Sequence, residues 1–306
     1  MQQIDVIGLG FCAMDHIGLL PGIPQDDKVE LLASVKQGGG PAATSIVTLA
    51  RLGMTTGVIG CVGDDDDGRA IIRELANEHV DTSHMIVQTG QSSANSFVWV
   101  EQPTGNRSIA WSRGTLRPLE LSELDRHYIE AARALHLDGT EMAVSRQAAI
   151  WAKDAGGIVA LDAGTVRPGM TDLLPFVDIL NTSGKSVMGL AGKDSLDECG
   201  RALLDLGPKL VTVTCGNKGC MIFADGLIGI QGAFQIDAVD TTGAGDVFCG
   251  GLIYGYLHGW DPGRIVEFAS AMSAMKCQKL GGRAGIPDLQ TVRRFLAEHS
   301  VLPLQP

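Results

Sequence analysis

The sequence predicts an α/β fold: a three-layer sandwich with a mainly parallel central sheet and helices on both faces. Apolar runs at 133–138, 157–162, 177–181 and 209–215 alternate with helical patterns at 122–132, 143–155 and 194–206, as repeated strand–helix units do. A further strand run at 219–224 precedes helical patterns at 244–258, 262–278 and 288–298, which come in series without strands. With 306 residues, 45% of them hydrophobic, the chain can fill one large core.

The N-terminal half is less regular. Ile4-Asp5-Val6-Ile7-Gly8 reads as a buried strand. Extended runs follow at 17–20 and 29–35, separated by a Pro21-Gly-Ile-Pro24 turn. Residues 42–52 read as a helix stopped by Gly53, 56–62 as a strand, and 67–78 as an amphipathic helix. A hairpin is expected from 96–100 and 108–111, across a Pro103-Thr-Gly-Asn turn. No repeat or long linker divides the chain. The expectation is a single domain over 1–306, with a small β-sheet lid from segments near 13–37 and 92–113.

Composition narrows the function classes. A net charge of −11 speaks against a nucleic-acid partner, which is held by neutralising phosphates with Lys and Arg. It does not exclude ATP, whose phosphates a few backbone amides can hold. No apolar run approaches the roughly 20 residues of a membrane helix, so no membrane association is expected. The opening Met-Gln-Gln-Ile-Asp carries no leader-like pattern. Seven scattered cysteines without a Cys-x-x-Cys pair suggest reduced thiols and a cytoplasmic protein.

The most informative stretch is Asp240-Thr-Thr-Gly-Ala-Gly-Asp246, which runs directly into an apolar helix. Gly243, Ala244 and Gly245 let the backbone approach a ligand, and their amides sit at a helix N-terminus, an anion site. Asp246, in the first turn, can take a hydroxyl proton while the amides stabilise a transferred phosphoryl group. The purely structural alternative is a Gly-rich turn with an Asp at a helix start. A second Gly-rich segment, Gly38-Gly-Gly-Pro-Ala-Ala-Thr44, again leads into a helix.

Together these two segments resemble the two signatures of the PfkB (ribokinase-like) carbohydrate kinases. The likeness extends to Asp15, to the turn between Gly63 and Gly68, and to Thr214-Cys-Gly216-Asn-Lys-Gly219. The resemblance implies a ribokinase-like fold and phosphorylation by ATP and Mg²⁺ of a hydroxyl, expected to be primary, on a sugar or sugar-like acid. It implies Asp246 as base, with Gly243, Ala244 and Gly245 as the anion hole. Residues 214–219, Thr214, Gly216 and Gly219 among them, would lie along the nucleotide with Ser183 and Ser270. Asp15, Gly39, Gly40 and Thr44 would line the sugar site, and Lys28 and Arg107 on the lid could meet an anionic group on the acceptor. Asp240 and Thr242, with carbonyls near 276–281, match positions where relatives hold a monovalent cation such as K⁺. A homodimer through the lid is a further family expectation.

Departures from the family pattern matter equally. Thr44 stands where the family usually carries an Asn, and Ser183-Gly-Lys-Ser186 replaces Asn-x-x-Glu, removing the carboxylate that organises Mg²⁺. Asp162 at a strand end is a candidate substitute, or a cap for Ala163 and Gly164. The variants Gly38-Gly-Gly-Pro-Ala-Ala-Thr44 and Gly281-Gly-Arg-Ala-Gly-Ile-Pro287 look most like the sulfofructose-kinase branch. Trp111 and Thr140, at positions that help read the anion there, carry no charge, so sulfonate recognition is not implied.

Three patterns are decoys. Gly8-Leu-Gly10-Phe-Cys-Ala13 lacks the helix that a dinucleotide fingerprint needs. The Ser183 segment lacks the first Gly of a Walker loop, and the acidic run at 64–67 lacks the first ligand of a calcium loop. Two other readings remain beside the sugar kinase: a non-catalytic sugar- or nucleotide-binding regulator, and a kinase for a nucleoside or sugar phosphate.

Overall fold

The computed structural model describes residues 4–299. The chain begins with β1 (Val6–Leu9), β2 (Ala13–Leu20), β3 (Ala33–Gly39), α1 (Pro41–Arg51), β4 (Thr56–Ile59), β5 (Cys61–Gly63) and α2 (Asp66–Asn77). It continues with β6 (Ile86–Gln88), β7 (Asn95–Glu101), β8 (Arg107–Ser112), α3 (Arg126–Glu130), β9 (Ala134–Leu137), α4 (Met142–Asp154) and β10 (Ile158–Ala163). The last part holds β11 (Ile179–Ser183), α5 (Val187–Ala191), α6 (Leu196–Leu204), β12 (Leu210–Thr214), β13 (Cys220–Ala224) and β14 (Leu227–Gln231), then α7 (Ala244–Leu257), α8 (Pro262–Cys277) and α9 (Leu289–Glu298).

The main sheet has eight strands in the order β14-β13-β12-β11-β10-β9-β1-β4. From β12 to β4 every pairing is parallel, and β13 and β14 add an antiparallel edge. Successive side chains point to opposite faces. Val6 therefore joins a core with α1, α7 and α8, whereas Ile7 and Leu9 join one with α4 and α6. Both faces are covered, so this is the three-layer α/β/α arrangement expected from the sequence. Strand order reverses between β1 and β9, and the crevice beyond the carboxyl ends of the strands at such a switch is where α/β sheets bind ligands.

α7 lies at the centre of one helical layer and is buried from Val247 to Gly255. Its paired glycines make this packing possible. A Cβ on Gly250 would stand 2.8 Å from Thr48 Cβ, and one on Gly251 would stand 2.7 Å from Ala269 Cα. α1 and α8 thus approach α7 backbone-close, which fixes the position of its N-terminus.

A second sheet, β3-β2-β7-β8, stands beside the crevice. β2 pairs antiparallel with β3 and parallel with β7, and β7 pairs antiparallel with β8. The register puts Asp15, Ser96 and Trp111 on one face and His16, Phe97 and Ala110 on the other. A short parallel pair, β5 and β6, completes the strands named here.

Several boundaries differ from the sequence expectation. The extended run expected at 29–35 becomes a strand at Ala33–Gly39, because pairing with β2 sets Asp15 opposite Gln37. The helix expected over 122–132 is broken: a short 3-10 turn at Leu121–Glu123 ends at extended Leu124, and Asp125 then caps α3. The strand expected at 56–62 divides after Ile59 into β4 and β5. All seven cysteines are free thiols, six of them buried and Cys215 partly exposed. No helix among the described residues is long and apolar enough to cross a membrane.

Candidate active site

The N-terminus of α7 is built by its glycines. Gly243, its cap, has φ of 75°, and a Cβ there would also press to 2.8 Å from Gly282 O. The Ala244 amide bonds Thr241 O at 3.2 Å and the Val247 amide bonds Gly243 O at 3.0 Å. Between them, the amides of Gly245 and Asp246 take no partner among the described residues. A Cβ on Gly245 would meet nothing within 4 Å, so open space lies above this turn. Free amides at the positive end of a 14-residue helix make a site for an anion. The turn is held from behind by Ser45 Oγ, which donates to Asp246 O at 2.8 Å, and by Ser273 Oγ, which donates to Ala244 O at 2.9 Å.

Burial pushes the Asp246 carboxyl up to about 6. Arg107 opposes the rise, while the charges of Asp138 and Asp15 add to it. Asp162, the penultimate residue of β10, is 7% exposed, and burial with the Asp246 charge pushes it up to about 7. Its Oδ1 accepts from Gly164 N at 3.0 Å and, more weakly, from Asn181 Nδ2 at 3.5 Å. Asp162 is therefore both the cap of its turn and an electrostatic neighbour of Asp246. Carboxyls raised in this way inside a crevice are the property expected of acid–base groups.

On the small-sheet side, Asp15 is 9% exposed and accepts from Ser96 Oγ at 2.5 Å. A Cβ on Gly39 would collide with the Asp15 carboxylate, and one on Gly40, at φ of 102°, with Phe11 O. Thr44 is buried in α1, and Arg283 Nε reaches its hydroxyl at 3.4 Å while Nη2 donates to Gly39 O at 3.2 Å. Arg107, at the start of β8, donates from Nη1 to Thr241 Oγ1 at 3.0 Å. Lys28 is not drawn in: it lies exposed in the β2–β3 connection, and its amide bonds the neighbouring Asp27. Trp111 meets Phe11 edge-on at 5.5 Å, and Arg113 donates to Glu141 at 2.6 Å.

Along the other side of the crevice, Thr214 ends β12 and donates to Thr182 O at 3.2 Å. Gly216 and Gly219 both have positive φ, 61° and 94°, and a Cβ on Gly219 would collide with Gln231 O. Ser183 bonds Ser186 at 3.1 Å, and Ser186 Oγ donates to Gly164 O at 2.6 Å. Ser270 is half-buried in α8.

Asp240 and Thr242 sit below the turn. Both Asp240 carboxylate oxygens accept backbone amides, from Thr242 and Gly281, each at 2.8 Å. Its carbonyl accepts Lys276 Nζ at 2.8 Å. Burial pulls the Lys276 ammonium below its usual range, and the Asp240 charge pushes it back up.

Asp138, Glu141 and Arg283 are buried and central; the two acidic residues stand in no sequence pattern, and Arg283 enters the sequence reading only as part of the 281–287 segment. Asp138 accepts from Phe11 N at 2.8 Å, Thr140 N at 2.9 Å and Ala42 N at 3.3 Å, joining the β1–β2 loop and the first turn of α1 to its own loop at the switch point. The one available signal was position: Asp138 directly follows a buried strand, where α/β sheets place site residues.

Compared with known proteins, the chain matches the profile described as pfkB family carbohydrate kinase over residues 1–289. An ATP-dependent ribose-1-phosphate kinase of Halopiger xanaduensis is 30% identical over 301 residues, covering 97% of this chain and 99% of that one. A nucleoside kinase of Methanothermobacter thermautotrophicus is 28% identical over 309 residues, with 99% of each chain covered. The structure of Arabidopsis thaliana ribokinase complexed with ribose and ATP shares the fold, with a TM-score of 0.81 and 24% identity over 96% of this chain and 99% of that one.

Proposed function

Because this chain belongs to the pfkB family of carbohydrate kinases, we propose that it transfers the γ-phosphoryl group of ATP to a primary hydroxyl of a sugar or sugar-like acid, with Asp246 as base. The observation that carries this reading is the conjunction at α7: an ionisable carboxyl pushed up to about 6 beside two unpaired amides at a helix N-terminus. The amides of Gly245 and Asp246 receive the charge of the transferred group. The acceptor hydroxyl gives its proton to Asp246, its oxygen forms a bond to phosphorus, and the bond to the ADP oxygen breaks in line.

Asp15, with Gly39 and Gly40, binds the acceptor from the small sheet, which acts as a lid that excludes water. Thr214, Gly216, Gly219, Ser183 and Ser270 form the nucleotide side. Asp162 would hold a water of the Mg²⁺ that accompanies ATP, an ion that screens charge on the β- and γ-phosphates. Its fit to that task rests on Oδ2, which takes no hydrogen bond among the described residues, whereas Oδ1 is engaged by Gly164 and Asn181. Phe97 and Trp99, 48% and 38% exposed on the outer face of the lid, are the residues we assign to contact with a second copy.

ADP release measured with ATP and Mg²⁺ across ketohexoses, aldopentoses, 2-keto-3-deoxy acids, sulfofructose, sugar phosphates and nucleosides tests the proposal. Stimulation by a sugar or sugar acid that disappears in Asp246→Asn supports it. Stimulation by nucleosides or ribose 1-phosphate alone moves the acceptor class toward that of the two relatives above. No stimulation by any acceptor sinks the kinase and favours a binding protein.

A further inference from the structure

The loop that leads into α7 is pinned to the end of α8 by a buried lysine. Lys276 and Asp240 are each 0% exposed. A lysine is almost never fully buried without a partner that repays its lost hydration. Here Nζ lies 2.8 Å from the Asp240 carbonyl. The same corner is closed by the amides of Val239 and Asp240, which both bond Cys277 O, at 2.8 and 3.1 Å. One turn earlier on α8, Ser273 holds the carbonyl of Ala244 in the anion turn. The end of α8 is thus the scaffold on which the amides of Gly245 and Asp246 are aimed.

The family resemblance leads one to expect a monovalent cation at Asp240 and Thr242, but the residues present do not fit one well. Both Asp240 carboxylate oxygens are engaged by amides, and its carbonyl already faces an ammonium. A second cation a few ångströms from Nζ would be repelled. Thr242 Oγ1, buried and without a hydrogen-bond partner among the described residues, is left as a candidate donor with the carbonyls near 276–281. Of these, Lys276 O and Cys277 O already accept amides, and such a neutral, partly engaged set is a poor cage for a dehydrated ion.

We propose that the side chain of Lys276 takes the place of the monovalent cation, so that the anion turn is charged and positioned from within the chain and catalysis is independent of K⁺. An ammonium resembles K⁺ in charge and size, and here it is delivered on a tether at no cost in binding. Lys276 is a positioning residue: it acts through Asp240 on the turn and touches no reacting atom.

The inference rests on the kinase reading, so the test has one arm that does not. Initial rates with the best acceptor, and melting temperatures without any substrate, are measured for the wild type and Lys276→Met. Chlorides of K⁺, NH₄⁺, Na⁺ and tetramethylammonium are compared at equal ionic strength. The wild-type rate should agree within about twofold across the salts, with a melting temperature no higher in K⁺ than in tetramethylammonium. Lys276→Met should lose at least about tenfold in tetramethylammonium and recover in K⁺ or NH₄⁺, with a melting temperature raised selectively by K⁺. A wild type activated about fivefold or more by K⁺, or selectively stabilised by it, overturns the proposal. So does a Met variant that keeps the wild-type rate in every salt. Should that variant not fold, the wild-type series decides alone. If no acceptor gives turnover, the melting series still decides the cation question while the kinase reading falls separately.

Discussion

Arg107 Nη1 donates to the Thr241 hydroxyl at 3.0 Å, and that hydroxyl in turn donates to Gly105 O at 3.1 Å. A strand of the small sheet is thereby fastened to the loop two residues before the cap of α7. The contact is surface-exposed, so it adds little to stability, yet it registers the small sheet against the N-terminus of α7. Arg107→Ala should lower kcat/KM for the acceptor by about fivefold, roughly the 1 kcal/mol of one ordinary hydrogen bond, since this one is exposed to water, and raise the fraction of ATP lost to water. Steady-state rates with and without acceptor check this, and an unchanged kcat/KM would detach Arg107 from closure.

Replacing the base separates activity from stability. Asp246→Asn should lower turnover by at least about a hundredfold while leaving ATP affinity nearly intact. At neutral pH it should also stabilise the fold. The folded-state carboxyl titrates near 6 against an ordinary value of 3.8, so its ionisation opposes folding as pH rises through that window. The uncharged amide escapes a penalty of up to about 3 kcal/mol. Calorimetric melting at pH 7.5 measures it, and a lower melting temperature would contradict the assignment.

The same carboxyl dictates an acid limb. Asp246 accepts a proton only when ionised, so kcat/KM should fall below about pH 6, approaching tenfold per unit. Arg107 lowers this titration, so in Arg107→Ala the limb should move to higher pH. A limb that stays put, or moves down, would mean that another group governs it.

Gly39 tests the acceptor side. A methyl group there would occupy the space of the Asp15 carboxylate, which is anchored by Ser96. Gly39→Ala should weaken acceptor binding by at least about tenfold, roughly 1.4 kcal/mol, and leave nucleotide affinity unchanged. Isothermal titration with each ligand distinguishes the two, and equal losses for both would point to general misfolding.

The sequence was most legible where local pattern and tertiary role coincide. The late parallel strands are continuous apolar runs because both faces of the sheet are covered, and the turn before α7 is legible because Gly243 and Gly245 flank Ala244 directly ahead of an apolar helix. Legibility failed where one side chain redirects the backbone. Asp125 accepts from the amides of His127 and Tyr128 and starts a new helix inside what reads as one helical pattern. β14 went unread although Asp225-Gly226 is a strong hairpin turn, because Leu227–Gln231 is short and half exposed.

The site divides in the same way. Asp246 and its glycines are adjacent in sequence. Arg283 and Thr44 lie 239 positions apart and meet only in the fold. Lys276 lies in the last turn of α8, and nothing local announces that its side chain is turned inward to the carbonyl of Asp240.

Six of the seven thiols are sealed in the interior, and the seventh stands in the turn after β12 that we assign to the nucleotide. Cys215 lies between Thr214 and Gly216, its Sγ 3.7 Å from Val213 O, and burial raises its pKa, so the thiolate is scarce at neutral pH. The native protein therefore carries one slow-reacting handle at a defined place. A small alkylating reagent should add a single equivalent before the chain unfolds, and, on the proposed placement of the nucleotide beside this turn, ATP should slow it.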